Sequence, residues 1–131
     1  MATFWQNHWK SIVWALIIIL LSSIPGNQIP KIKLITIPHL DKLIHMFMYF
    51  VFTLLLISGN NALRRKRKLT AHAIIMAALI SLPFGVLMEY LQQYIFTSRS
   101  AEVGDVAANI AGFLLATVTY RPINRITEGF I

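Results

Sequence analysis

Four short groups of residues carry most of the chemistry in this sequence. Asp41, Lys42 and His45 form the first, with Asp41 and His45 spaced i,i+4 and Tyr49 at the next such step. Glu89, Gln92 and Gln93 form the second, Arg99 stands by itself, and Asp105 and Asn109, again i,i+4, precede Gly112. On a helix, residues three or four apart share a face, so each group presents its polar atoms in one direction. Two chemistries fit these residue types. In the first, Lys42 and Arg99 hold a phosphate or carboxylate through charge-assisted hydrogen bonds and Glu89, Gln92 and Asn109 select among ligands, in a binding site that also includes Asp41, His45 and Asp105. In the second, His45 is a general base oriented by Asp41 or Asp105, and Glu89 is an acid, which makes His45, Glu89 and Asp105 the catalytic candidates. A third reading is structural, a network of polar side chains that fixes helix order. Such interhelical hydrogen bonds are modest in membranes, averaging about 0.6 kcal/mol in one measured case.

Other chemistries are set aside. The chain has no cysteine, which excludes disulfides, thiolate nucleophiles and cysteine zinc sites. Ser98 and Ser100 lack a Gly-x-Ser-x-Gly setting. His45, Asp41, Glu89 and Asp105 are residue types that can ligate a metal, but their fixed spacing is histidine-poor, so no metal and no cofactor are expected.

The elements that position these groups follow from the spacing of charge. Of 131 residues 56% are hydrophobic and only 13% charged, with mean hydropathy +0.64. A soluble domain carries about 25% charged residues, so this surface is too oily for water. Between Lys10 and Lys31 lie 20 uncharged positions, between Lys42 and Arg64 21, between Lys68 and Glu89 20, and between Asp105 and Arg121 15. A bilayer core of about 30 Å needs about 20 helical residues. In hydrocarbon the backbone must satisfy its own hydrogen bonds, so each run is expected to be a helix. The sequence therefore predicts an all-α, four-helix transmembrane bundle as a single domain over 1–131, with spans at about 9–24, 41–58, 70–95 and 104–120.

Local signals agree with these bounds. Ser22-Ser23-Ile24-Pro25-Gly26 is expected to stop the first helix, and Gly59-Asn60-Asn61 the second. Residues 25–40 read as an irregular loop, and Asp41 suits a helix start. Pro83 is expected to kink the third helix. Gly104, Ala108, Gly112 and Ala116 form a small-residue stripe that lets another helix approach closely. No small-residue cleavage site follows the first apolar run, so it reads as a retained helix rather than a signal peptide.

Orientation follows from the 12 Lys and Arg residues. Four spans put Lys10, the run Arg64 to Lys68, Arg121 and Arg125 on one side, and Lys31, Lys33, Lys42 and Arg99 on the other. The positive side stays in the cytoplasm, so both termini are expected there. The Arg64–Lys68 run reads as a topology anchor near anionic headgroups, not as a nucleic-acid site. Asp41, Glu89, Glu102 and Asp105 then all fall on the outer side. There Asp41, His45, Glu89, Arg99, Asp105 and Asn109 are expected to converge in one shallow pocket, a setting in which ionisable groups are functional candidates. Elsewhere His8 and His39 are expected at the interface and Trp5, Trp9 and Tyr120 in aromatic belts. His72 is expected to snorkel, and the methionines to pack or face lipid.

In this order the motifs resemble the VanZ-like family of small bacterial membrane proteins. The resemblance runs through Asp41-Lys42-x-x-His45-x-x-x-Tyr49, Glu89-x-x-Gln92, Arg99 and Asp105-x-x-x-Asn109-x-x-Gly112, and covers about residues 10–120. It implies a multi-pass protein of the bacterial cytoplasmic membrane whose shared polar residues form a common site. The partner it implies is a membrane lipid or a lipid-linked cell-envelope intermediate, with a link to glycopeptide response, since the family is named for a teicoplanin-resistance protein. One departure is visible: Thr97-Ser98 precedes Arg99 where many relatives have Pro-Gly, and Glu102 adds an acid to that loop.

Overall fold

The computed structural model describes residues 4–24, 39–63, 69–96 and 102–127. They form four helices: α1 (Phe4–Ser23), α2 (Leu40–Leu63), α3 (Ala71–Tyr94) and α4 (Val103–Ile126). Among the described residues there is no strand. Three helices, α2, α3 and α4, are long and apolar enough to cross a membrane. The fourth, α1, does not reach that apolar length, because Gln6, Asn7, His8 and Lys10 occupy its first two turns. Large apolar side chains such as Leu79, Val118 and Ile126 point outward, as a lipid-facing surface requires. This is the build of a membrane protein.

Three helices outrun the sequence expectation: α1 begins at Phe4 rather than near residue 9, and α2 and α4 run past their expected ends. Instead of ending at Gly59-Asn60-Asn61, α2 continues through all three residues. Asn60 Nδ2 donates back to Leu56 O at 2.9 Å, and Asn61 Nδ2 donates to the Tyr120 hydroxyl at 3.2 Å. Gly59 is needed for another reason: a Cβ there would lie 2.6 Å from the His8 ring and 2.8 Å from Asn7 O of α1. Likewise α4 runs past Arg121 and through Pro122 to Ile126. In α1 and α4 a charge marks the edge of the hydrocarbon, not the end of the hydrogen-bond ladder, so counting charge-free residues undercounts those helices; α2 ends at Leu63, just before Arg64, and overruns only the expected Gly-Asn-Asn stop.

In the bundle α2 packs against each of the other three helices, most extensively against α4, while α1 and α4 do not meet among the described residues. Water exclusion does not drive helices together inside lipid, so close backbone approach matters. Gly112 supplies it. A Cβ at that position would run into the Met46 carbonyl oxygen and stand 2.9 Å from Phe50 N, so the small-residue stripe of α4 faces α2. Around that contact Tyr49, Phe52 and Ile57 of α2, Met88 of α3, and Phe113, Ala116 and Tyr120 of α4 form the core. Phe52 and Phe84 meet in a tilted ring contact with centroids 5.3 Å apart. On the other flank Trp14 Nε1 donates to Met48 O at 2.9 Å and ties α1 to α2.

Candidate functional site

The starts of α2 and α4 lie at one end of the bundle, beside the ends of α1 and α3. There the polar groups form two layers. The upper layer is centred on Lys42, whose Nζ lies 2.7 Å from Glu102 Oε2, 3.5 Å from Asp41 Oδ2 and 3.8 Å from Asp105 Oδ1. Glu102 is the N-cap residue of α4, but its side chain makes no cap hydrogen bond. Its carboxylate goes to Lys42 instead, which pins the start of α4 to the start of α2. The stem of Lys42 passes over Gly104, which has no side chain to obstruct it.

About one turn deeper, or roughly 6 Å, lies the second layer. His45 Nδ1 is 3.3 Å from Glu89 Oε1 and 3.3 Å from Asn109 Oδ1, and Asn109 Nδ2 donates to Glu89 Oε1 at 3.5 Å. One side chain from each of α2, α3 and α4 thus closes a triangle. All three are buried, with His45 5%, Glu89 4% and Asn109 3% exposed. With a proton on Nδ1 the imidazole donates to Asn109 Oδ1, and Glu89 Oε1 stands at ion-pair distance from the same nitrogen. Asp105, 7% exposed, sits between the layers: one carboxylate oxygen is within 4.8 Å of ligand-type atoms of His45 and Glu89.

No protein-family model, curated protein or solved structure matches this chain.

Most of the residues singled out from the sequence do converge. Asp41, Lys42 and Asp105 meet in the upper layer, and His45, Glu89 and Asn109 in the lower. Two details differ from expectation. The imidazole is paired by Glu89 and Asn109, while Asp41 pairs with Lys42. Lys42 faces three carboxylates, so its charge is already committed and is not free for an anionic ligand. Gln92 turns elsewhere: it is buried, and its Nε2 donates to Ser22 O at the end of α1 at 3.5 Å. Arg99, Ser98 and Ser100, the 25–38 part of the loop and the Arg64–Lys68 run lie outside the described residues.

The sequence reading missed Glu102 as a member of the upper layer and Tyr49 below the lower one. Tyr49 is buried, and its hydroxyl has no hydrogen-bond partner among the described residues. Its signal was present, since Asp41, His45 and Tyr49 repeat at intervals of four. At the opposite end a second buried polar group was missed. His8, expected at the interface, is 2% exposed and lies against Gly59. Tyr120, expected in an aromatic belt, is buried and accepts from Asn61, whose Oδ1 accepts from Thr70. Both were misplaced for one reason: α2 does not stop at Gly59-Asn60-Asn61, and its continuation brings Gly59 against His8 and Asn61 onto Tyr120.

Beside the lower layer a cavity of about 280 Å³ opens between the end of α1 and the start of α2. Leu21, Ile24, Ile44 and Met48 wall it, and Asp41, His45 and Ser22 supply its polar part. A smaller hollow of about 80 Å³ between α3 and α4 reaches Asn109 from the other side, lined by Leu82, Gly85, Val86, Val106 and Ile110.

Proposed function

We propose that this protein spans the bacterial cytoplasmic membrane four times with both termini inside, and that its outer polar site binds the headgroup of a lipid or lipid-linked envelope intermediate. The observation that carries this is the 280 Å³ cavity, where apolar walls lead to Asp41 and His45 at the level of the helix starts. A molecule that fills it needs an apolar body and a polar end, which describes a lipid lying at the interface. The described polar atoms favour a hydrogen-bond donor on that end, because Asp41 accepts and Lys42 is engaged. The resemblance to VanZ-like proteins supports the same class of ligand and a role in glycopeptide response.

The test is native mass spectrometry of the protein purified in mild detergent. Wild type is expected to carry a lipid, and Ile44→Trp, which fills the cavity from its apolar wall and leaves both His45 and Glu89 in place, is expected to lose it at unchanged stability. Equal lipid content in the two proteins refutes the reading. A second reading, acid/base catalysis on a lipid-linked substrate, is favoured by the buried His45–Glu89 pair at 3.3 Å. It requires that a bound lipid be converted and that conversion stop in His45→Ala.

A further inference from the structure

We infer that His45, Glu89 and Asp105 form a binding site for one divalent transition-metal ion, for which Zn²⁺ is the probe. The three residues come from three different helices, and each offers one ligand atom within 4.8 Å of the other two. Around a Zn²⁺ ion with bonds of about 2.0–2.2 Å, ligand atoms stand roughly 3.4 Å apart, so side-chain rotations of about 1 Å close the shell. Imidazole nitrogen with two carboxylates is a donor set that suits zinc, manganese or iron better than magnesium or calcium, which favour oxygen alone.

Two further observations point to a cation. Glu89 Oε2 is buried with no hydrogen-bond partner among the described residues, and Asp105 Oδ1, also buried, makes no hydrogen bond there and only a 3.8 Å ion pair with Lys42 Nζ. A buried carboxylate oxygen left without a partner is costly, and an ion between the two would satisfy both. The second observation is the contrast with the upper layer. A neighbouring group, Asp41, Glu102 and Asp105, also brings its oxygens within 4.8 Å of one another, but Lys42 Nζ already sits among them. The lower group holds two carboxylates against one imidazole. There the ion would take the place of a proton on Nδ1, which lies 3.3 Å from Glu89 Oε1, and Asn109 Oδ1, 3.3 Å from the same nitrogen, adds a neutral oxygen beside it. The sequence already pointed to a shared pocket for these residues, but their separations of 44 and 16 positions fix no ligand geometry, which only the bundle supplies.

The inference goes beyond headgroup binding and can fail separately from it. Full-length protein in detergent is stripped with a chelator, loaded with Zn²⁺, desalted and measured for bound metal and thermal stability. Wild type is expected to retain one Zn²⁺ per chain and to melt higher with the ion than without. Glu89→Gln and Asp105→Asn are each expected to bind at least tenfold more weakly and to gain no stability from Zn²⁺. Glu102→Gln and Ile44→Trp are expected to bind as wild type does. Folded wild type that retains no Zn²⁺ overturns the inference. So does undiminished binding in Asp105→Asn, or an equal loss in Glu102→Gln, which would place the ion among the upper carboxylates.

Discussion

Replacing Gly112 by alanine tests the packing that brings α4 onto α2 and, through it, the site. The added Cβ would collide with the Met46 carbonyl oxygen and stand 2.9 Å from Phe50 N and 3.2 Å from Met46 C. All three are backbone atoms of α2, so no side chain can swing aside and the helices must part. Overpacking costs about 1–3 kcal/mol, and a rigid backbone neighbour puts this position at the upper end. Alanine returns about 1 kcal/mol of helix propensity. The net loss is about 2 kcal/mol, a factor of about 30 in the folded-to-unfolded ratio. The shift also reaches the site: His45 Nδ1 and Asn109 Oδ1 are 3.3 Å apart, and a displacement of about 0.5 Å takes them beyond hydrogen-bond distance. The assay is reversible unfolding in mixed detergent and SDS micelles, with Gly85→Ala as the comparison. At Gly85 the new Cβ meets only side-chain atoms, Tyr49 Cε1 at 3.2 Å and Asn109 Nδ2 at 3.3 Å, which can yield by a few tenths of an ångström. If Gly112→Ala is as stable as wild type, or no less stable than Gly85→Ala, the close α2–α4 contact is not what holds the bundle.

Two more outcomes are expected. Gly59→Ala should separate α1 from α2 at the end away from the site, and His8→Ala should rescue only part of the loss, because Asn7 O still faces the new Cβ at 2.8 Å; full rescue in the double variant, by the same unfolding assay, would contradict the backbone clash. Lys42→Met should destabilise less than Gly112→Ala and mainly at low salt, since its upper-layer ion pairs are partly exposed and screened; a loss of equal size at high and low salt would show that the lysine stem over Gly104, not its charge, matters.

What the sequence determined by itself was everything set by local physics. An apolar run in lipid must be helical, so the gaps between charges predicted four helices, and the 3.6-residue turn put Asp41 with His45 and Asp105 with Asn109 on shared faces. Because like-spaced polar residues on three runs sat at the same end, their meeting could be foreseen too. The tertiary structure decided which atoms meet. Glu89 rather than an aspartate took the imidazole, Lys42 was used up by three carboxylates, and Gln92 went to the backbone of α1. It also carried α2 through Gly59-Asn60-Asn61, where Asn61 and Tyr120 meet across helices and Gly59 admits His8. Helix periodicity fixes the direction of a side chain along its own axis, whereas the choice of partner depends on how two helices rotate and slide against each other. That was set by a missing side chain at Gly112, whose effect exists only once a second backbone lies against it.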